Sequence, residues 1–373
     1  SPATTPGSPG TLPRGATACC GTPKPSVFRP VSERLEVILH RDRDWLFVDK
    51  PVGMATHAGK PGEQGATEWL AAHLGLETHV VSRLDRGTSG VLLLARTPEA
   101  AARAQAIHES GHALKTYEFW SAAARDPVEW VCEEPLDGRP CRPTFRRTGA
   151  NPAGTLFLYE ASITRGRKQQ IRRHAAAGGA PILGDDTYGG ARFGRLCLHC
   201  REVAWPGLDH TVRASTAPSF GALDRGEDPG FALCLDRRGK WPSLVTDAWR
   251  AVHRDEIDGV PAAVEVFGAW FSAVWFDETS NQEKIDRLLH PLLERVSHLY
   301  GLRGGVIRIH RRNPHQKGLH EETTVVGNGP PPRFKVTEHG LKYEISLTET
   351  QHTGLFLDQR DTRRRLAMTA DRK

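Results

Sequence analysis

Short apolar runs alternate with helical patterns over about residues 35–206. Val91–Ala95 is an apolar run typical of a buried strand. Thr97 then supplies a helix N-cap and Pro98 stands in the first turn, so a helix is predicted from Glu99 to His108. The pattern also predicts strands at 44–49, 116–120 and 155–163 and a helix at 66–74. This mixture indicates an α+β domain.

The apolar pattern changes after about residue 260. Residues 264–267 and 270–276, separated at Gly268, predict a hairpin. Apolar residues from Ile285 to Leu299 then recur at helical spacing, and we interpret that stripe as a core face. Pro291 lies inside the stripe and is predicted to kink the helix or to mark its restart. Further strands are predicted at 306–309, 334–336 and 341–347.

Composition divides the chain into four predicted segments. Residues 1–30 are rich in Pro, Gly, Ser and Thr and predict an extended or disordered tail, because they cannot bury enough surface to offset ordering entropy. Residues 31–215 form the predicted catalytic domain. Residues 216–259 are a linker or the start of a second domain. Residues 260–373 form a smaller α+β domain.

Charge and cysteine usage narrow the class of protein. The 373 residues carry a formal charge of +6, which suits a polyanionic partner but is shared by many ordinary proteins. No run of 18 apolar residues predicts a membrane span, and no secretory signal is visible. Seven cysteines without disulfide-like spacing favour a reducing compartment, so we expect a cytoplasmic protein.

One C-x-x-C pair raises the question of a metal. Cys197 and Cys200 flank His199, but zinc needs about four ligands and no second pair follows at a suitable spacing. We therefore predict no metal site and interpret the cysteines as small apolar residues of a strand.

A single acid stands between two arginines in the segment Arg83-Leu-Asp85-Arg86-Gly-Thr-Ser-Gly90, directly before the apolar run. Nearby cations favour the charged form of a carboxylate. A positioned, ionised carboxylate can act as a nucleophile. Taken alone, the segment fits a surface aspartate in an arginine-rich loop even better.

A basic segment, Thr164–His174, contains five Lys or Arg residues and no acid. Such a patch can neutralise phosphates, and its glutamines and His174 can hydrogen-bond a base or the nucleic-acid backbone. The alternative is a solvated basic helix face. The turn-rich stretch Pro181–Gly189 that follows is predicted to close over the site.

Together these segments resemble the RluA family of ribosomal and transfer RNA pseudouridine synthases. The family motif H-R-L-D-x-x-T-S-G corresponds here to Ser82-Arg-Leu-Asp-Arg-Gly-Thr-Ser-Gly90. The motifs D-K-P-x-G, K-x-Y, G-R-T-H-Q-I-R and R-x-x-L-H have counterparts, in the family's order, at 49–53, 115–117, 166–172 and 195–199. "PILGDDTYGG" matches the segment that follows the fourth motif.

The resemblance implies a fold, a reaction and roles. The fold is a mixed, mainly antiparallel sheet with flanking helices and a central cleft. Asp85 is implied to be the nucleophile that breaks the uridine glycosidic bond. Tyr117 is implied to stack on the base and to serve in proton transfer at C5, and Arg172 to pair with Asp85 and hold it ionised. The uridine must leave its stack, and no metal or organic cofactor is needed.

The same resemblance implies that RNA, ribosomal or transfer, is the partner. Its expected contacts are Lys50, His57, Arg83, Arg86, Arg165, Arg167, Lys168, Gln170, Arg173 and His174. The chain departs from the family where Ser82 replaces the usual His and Lys168-Gln169 replaces Thr-His, which puts the RNA contacts in doubt. The Asp, Tyr and Arg set is retained.

The end of the chain carries a second resemblance. Thr353–Arg363 is similar to the "K-T-G-F-F-L-D-Q-R-x-N-R" segment of RlmI-like SAM-dependent RNA methyltransferases. Their SAM-binding domain follows that segment and needs a strand, a Gly-rich turn and an acidic residue, which are not found before Lys373. We expect SAM to bind only if a complete methyltransferase domain lies beyond this chain. Asp358, Gln359 and Arg360 are either a docking segment or a cofactor or RNA contact.

Two other functions stay open from the sequence. One is a methyltransferase, or a bifunctional RNA-modifying protein, in which the first half binds RNA. The other is an RNA-binding module without catalysis.

Overall fold

The computed structural model describes residues 37–60, 64–207, 211–216, 223, 241–254, 256–257, 259–312, 319–349, 353–360, 362–364 and 366. The predicted tail at 1–30 lies outside the described residues, as does the linker-like stretch 217–230 apart from Leu223.

The first part of the chain builds one ten-stranded sheet. Its strands are β1 (Ile38–Arg41), β2 (Trp45–Lys50), β3 (His79–Val80), β4 (Ser89–Ala95), β5 (Leu114–Ser121), β6 (Glu129–Val131), β7 (Thr144–Ala150), β8 (Phe157–Ile163), β9 (Leu198–Pro206) and β10 (Thr211–Ser215). The order is β1-β2-β4-β9-β5-β8-β7-β6, with β10 beside β9 and β3 beside β4. Only the β4–β9 pair among them is parallel.

Three helices accompany this sheet: α1 (Ala66–Leu74), α2 (Pro98–Ser110) and α3 (Gln170–Ala177). The helix predicted at 66–74 has those bounds. At α2 the Thr97 hydroxyl accepts from the Ala100 N–H at 3.1 Å, as the capping pattern predicts. That helix continues two residues past His108 before Gly111 ends it in the left-handed conformation. The α+β class is confirmed.

The second part contains two smaller sheets. The five-stranded sheet has the order β11 (Ala248–Val252), β12 (Ala262–Phe267), β13 (Trp270–Trp275), β14 (Gly304–Arg312) and β15 (Leu319–Gly327). β16 (Phe334–Glu338) and β17 (Leu341–Ile345) form a separate hairpin. The predicted hairpin 264–276 corresponds to β12 and β13. All seven residues of β4 are buried. The ten-stranded and the five-stranded sheet each have a core of their own, and the β16–β17 hairpin shares a third cluster with residues of β11, β12 and β14.

One long helix, α4 (Gln282–Tyr300), lies between β13 and β14. The Asn281 side chain caps it by accepting from the Lys284 N–H at 2.9 Å. The predicted apolar stripe is buried from Ile285 to Val296, with Leu288 half-buried, whereas its last member, Leu299, is exposed. Pro291 does not restart the helix, which runs through it as one element. Burial of the apolar face on both sides of Pro291 offsets the lost backbone hydrogen bond.

Trp241, at the start of the second part, contacts the first part of the chain. Trp241 is buried against the first core, and its indole N–H donates to the Asp49 carbonyl at 2.6 Å. Farther on, Arg360 and Arg363 form ion pairs with the buried Glu338 carboxylate at 2.9 and 2.8 Å. These arginines therefore dock the C-terminal segment on β16, which supports the docking interpretation of Arg360.

In the parts of the chain that the structure describes, none of the helices is both long and apolar enough to cross a membrane.

Candidate active site

Thr56 holds the Asp85 loop through two hydrogen bonds to the backbone of Leu84. The Thr56 hydroxyl donates to the Leu84 carbonyl at 3.0 Å and accepts from the Leu84 N–H at 3.1 Å. Leu84 is buried, and a turn closes from the Thr88 N–H to the Asp85 carbonyl at 3.0 Å. The loop is thus anchored on both sides of Asp85, whose side chain keeps 36% exposure.

A glycine allows the strand after this loop to approach its neighbour. Gly90 has φ +109°, and a Cβ there would stand 2.2 Å from the Cys200 carbonyl oxygen. Only glycine tolerates both the conformation and the contact. The close β4–β9 pairing that follows sets the Asp85 loop beside β9, and β5 lies on the other side of β9.

Tyr117 enters the site from β5. It faces Cys200 across the β5–β9 pair and is only 6% exposed. Its hydroxyl donates to the Cys200 sulfur, and the Cys200 thiol donates to the Glu202 carbonyl at 3.9 Å. Burial raises the pKa of Tyr117 well above its ordinary value, with smaller contributions from Cys200 and Asp85. The phenol is therefore protonated at neutral pH.

Arg172, on α3, has a different main partner from the one the resemblance implied. Its Nε and Nη2 donate to the two carboxylate oxygens of Asp185, each at 2.7 Å. Its Nη1 reaches Asp85 at 3.5 Å, which is the longer and weaker contact. Arg172 also lies over the Tyr188 ring, 5.1 Å from its centroid. The predicted Asp85 contact exists, but Asp185 holds the guanidinium in place.

Asp185 is itself held by local geometry. Its side chain is fully buried and accepts from the Thr187 and Tyr188 N–H groups at 3.1 and 3.2 Å. Gly184 before it has φ +78°, and a Cβ there would stand 1.8 Å from the Arg195 carbonyl oxygen. The turn-rich stretch 181–189 therefore acts as the support of Arg172.

Asp85, Tyr117 and Arg172 all line one cavity of about 600 Å³. Its wall also includes residues of the predicted RNA-binding set, namely Arg83, Arg165, Arg167, Lys168 and Gln170. The segments that meet here are far apart along the chain, since the wall includes residues from Val80 to Leu198. Cations surround an acid and a buried phenol, an arrangement that can hold a polyanionic substrate with a reactive carbon near Asp85.

Two members of the predicted RNA-binding set are wrong. Lys50 is 0% exposed, and its ammonium donates to the Pro51 and Met54 carbonyls at 2.9 and 2.7 Å. His174 is 1% exposed, and its Nε2 contacts the Glu134 carbonyl at 2.9 Å. Neither presents a polar atom to a ligand from solution, because each is enclosed by the protein.

Three other predicted RNA contacts lie outside the cavity wall. His57 and Arg86 are exposed, and Arg173 forms an ion pair with Asp137 at 3.2 Å. Their role in RNA binding stays a prediction.

Burial also lowers the pKa of Lys50. Desolvation lowers its pKa to about 7, and the Arg195 charge lowers it further, against a raising effect of Asp85. Lys50 is therefore a structural group behind the Asp85 loop.

Sequence reasoning missed four residues at the site: Thr56, Lys115, Asp185 and Tyr188. Asp185 and Tyr188 were visible only as part of a turn-rich segment, and Lys115 only as a letter of the K-x-Y motif. The Tyr188 hydroxyl donates to Gln169 at 2.6 Å, which links that segment to the basic one. Thr56 gave no signal, because its partner Leu84 is 28 residues away.

The C-x-x-C pair, Cys197 and Cys200, lies in the described part of the chain. Within that part, His, Cys, Asp and Glu side chains nowhere form a group of three that could hold a metal ion. Cys197 and Cys200 are both fully buried, and burial raises the pKa of Cys200 to about 12.

Known proteins match the part of the chain that carries this cavity. A family model described as RNA pseudouridylate synthase matches residues 44–177. The ribosomal large subunit pseudouridine synthase C of Vibrio parahaemolyticus is 31% identical over 221 residues, covering 52% of this chain and 69% of that protein. Its counterpart from Vibrio vulnificus is 31% identical over 198 residues, covering 46% of this chain and 62% of the relative. The chain thus spans less than two thirds of the second relative.

Solved structures are more distant. The human RNA pseudouridylate synthase domain containing 1 is 21% identical with a TM-score of 0.44, covering 51% of this chain and 87% of that one. A putative SAM-dependent methyltransferase from Streptococcus mutans is 20% identical with a TM-score of 0.29, covering 44% of this chain and 41% of that one. At these TM-scores neither superposition supports a functional conclusion.

Proposed function

Since this chain belongs to the RNA pseudouridylate synthase family, we propose that it isomerises uridine to pseudouridine in structured RNA, with Asp85 as the nucleophile. The observation that carries the proposal is the meeting of Asp85, Tyr117 and Arg172 around one cavity of about 600 Å³. A flipped nucleotide can enter such a cavity, whereas a base stacked in a helix cannot reach the carboxylate.

Asp85 attacks the ribose carbon that bears the base. Its carboxylate is partly exposed, while the backbone on both sides of it is anchored, so the nucleophile is accessible and positioned. Arg172 contributes one N–H toward Asp85 while Asp185 holds the rest of the guanidinium. Arg172 thereby orients the Asp85 carboxylate, and its own guanidinium is fixed by Asp185.

Tyr117 forms the wall against which the base lies. Its phenol is protonated, and the residue is 6% exposed on a strand paired on both sides, so the ring presents a fixed face to the cavity. A fixed aromatic face gains stacking energy with any base at little entropic cost. We assign to Tyr117 both this stacking and proton transfer at C5.

RNA phosphates bind at the cavity rim. Arg83, Arg165, Arg167 and Lys168 line it and come from two segments. Each phosphate neutralised by such a cation releases counterions, so we expect binding to weaken steeply with salt.

The RNA substrate, the location, cofactor use and the domain bounds also belong to the proposal. The names of the two Vibrio relatives favour ribosomal RNA over transfer RNA as the substrate, and a cytoplasmic location follows from such a substrate. The rearrangement is redox-neutral and uses a side chain as nucleophile, so no metal or organic cofactor takes part. We also propose the domain bounds 31–215 for catalysis and 260–373 for the second domain.

Substitution of Asp85 tests the proposal. Asp85→Asn and Asp85→Ala should abolish pseudouridine formation in RNA while RNA binding largely survives, because the rim cations are untouched. Asp186→Asn, at an exposed acid of the same domain, is the matched control. Chemical mapping of pseudouridine in RNA from cells with and without the protein identifies the site. Activity that persists in Asp85→Ala would refute the assignment.

A further inference from the structure

A buried lysine lies in the wall of the cavity that the proposed nucleophile also lines. Lys115 is 6% exposed and lines the cavity that Asp85 and Tyr117 share. It precedes Tyr117 by two positions on β5, so both side chains point to the same face of the strand. Residues two apart on a strand are about 6.6 Å apart, which is within the span of one nucleotide.

Lys115 has no anionic partner among the described residues. Its ammonium makes neither an ion pair nor a hydrogen bond there, whereas the equally buried Lys50 donates to two carbonyls. Cys200 is close to Lys115, but burial raises the thiol pKa to about 12, so it is uncharged at neutral pH. His108 is also near, and burial lowers its pKa to about 4, so it is neutral as well.

An unpaired buried cation is costly, because the protein interior solvates it poorly. Burial accordingly lowers the pKa of Lys115. Such a group is stabilised when negative charge arrives next to it. The cavity wall is therefore prepared for a ligand that is anionic or that becomes anionic during reaction.

We propose that Lys115 is a further catalytic residue, whose ammonium donates a hydrogen bond to the uracil base and stabilises the negative charge that the base acquires when its bond to ribose breaks. This inference rests on the proposed function. It assigns to Lys115 a role at the base, distinct from the phosphate contacts of the rim cations.

A carboxylate oxygen of Asp85 forms a bond to C1′ as the C1′–N1 bond breaks, and the electron pair of that bond goes to the base. The resulting uracil anion shares its charge between ring nitrogen and carbonyl oxygens, and Lys115 donates to one of these oxygens. After the base turns, C5 bonds to C1′ and the carboxylate leaves. C5 then loses its proton by way of the Tyr117 hydroxyl to water, and N1 takes one from water, so the product is an isomer of the substrate.

Lys115→Met tests the role, because methionine is an unbranched side chain of similar volume without the charge. Under single-turnover conditions the rate of pseudouridine formation should fall about 100-fold, the usual cost of removing one donor to a developing anion. The dissociation constant for RNA should stay close to that of the unchanged protein. Lys335→Met, at an exposed lysine of β16, is the matched control and should keep the full rate. If Lys115→Met fails to fold, Lys115→Gln should show the same loss.

A better leaving group separates charge stabilisation from a packing role. Fluorine at C5 withdraws electrons and stabilises the uracil anion without help from the protein. In RNA with 5-fluorouridine at the target, the loss of glycosidic cleavage caused by Lys115→Met should be much smaller than with uridine. Cleavage is followed as consumption of 5-fluorouridine by mass spectrometry of nucleosides.

The outcomes are distinguishable. A Lys115→Met rate equal to that of the unchanged protein, or an equal loss with both substrates, overturns the role of Lys115 while the proposed function stands. If weakened RNA binding accounts for the whole loss, Lys115 is a binding residue and the inference is wrong. If the unchanged protein forms no pseudouridine in any RNA, the proposed function fails, and this inference fails with it.

Discussion

Asp185→Asn should weaken both the fold and the reaction, although Asp185 does not line the cavity. The substitution keeps the shape of the side chain and removes its charge. In the protein, Asp185 is fully buried and takes two of the three donor groups of Arg172 at 2.7 Å each. Removing one partner of a buried ion pair leaves the other charge uncompensated, at a cost of about 3–5 kcal/mol.

The exposure of Arg172 and its remaining contacts set the size of this loss of stability. Arg172 is 12% exposed, so water compensates little for the lost carboxylate, and Asp85 at 3.5 Å is the remaining acid in contact with it. The amide oxygen of asparagine can still accept from the Thr187 and Tyr188 N–H groups. We therefore expect the free energy of unfolding to fall by about 3 kcal/mol, the lower end of that range. This is large against a typical stability of about 5–15 kcal/mol.

Urea unfolding at 25 °C measures the stability, and single-turnover pseudouridine formation at saturating protein measures catalysis. The rate should fall because Arg172 is no longer held in the orientation that directs Nη1 to Asp85. Asp186→Asn makes the same chemical change at the neighbouring exposed position. If the two variants unfold at the same urea concentration and react at the same rate, Asp185 is not the anchor of Arg172 and the reasoning is refuted.

Two other predictions concern titration and docking. Burial lowers the pKa of His108 from 6.5 to about 4, so the folded protein binds fewer protons there than the unfolded chain. The stability that depends on neutral His108 is complete above about pH 6.5 and is lost as the pH falls toward 4. His108→Gln should flatten the dependence of the urea midpoint on pH in that window, and an unchanged slope would count against burial as the cause. Glu338→Gln should leave Arg360 and Arg363 without their carboxylate and should expose the C-terminal segment to limited proteolysis, whereas Glu344→Gln on the adjacent strand should not. Equal digestion of the two variants would contradict the docking role.

Local patterns were enough to predict much of the fold. The helix at 66–74, the cap at Thr97 and the buried run at 91–95 each depend on neighbours a few residues away, where periodicity and capping act. Pro291 shows the limit of this reasoning. Proline is unfavourable inside a helix on its own, but the apolar face of α4 is buried on both sides of it.

Motifs located the Asp85 loop and the basic segment, and the structure brings Asp85, Tyr117 and Arg172 to one cavity. The roles assigned to these three residues stay predictions until Asp85 and its neighbours are substituted. Residue type also predicted RNA contacts at Lys50 and His174, and there it failed. A lysine or histidine in a basic or motif-rich segment can equally be enclosed, and its burial depends on strands that are distant in sequence.

The sequence by itself determined which residue types follow one another, and hence the helices, the strands and the loop that carries Asp85. The tertiary structure alone decided that Arg172 is held by Asp185, that Lys50 is enclosed, and that Lys115 is buried without an acidic partner. Ion pairing and desolvation depend on distances of a few ångströms between segments that the chain places far apart, and no local pattern contains those distances.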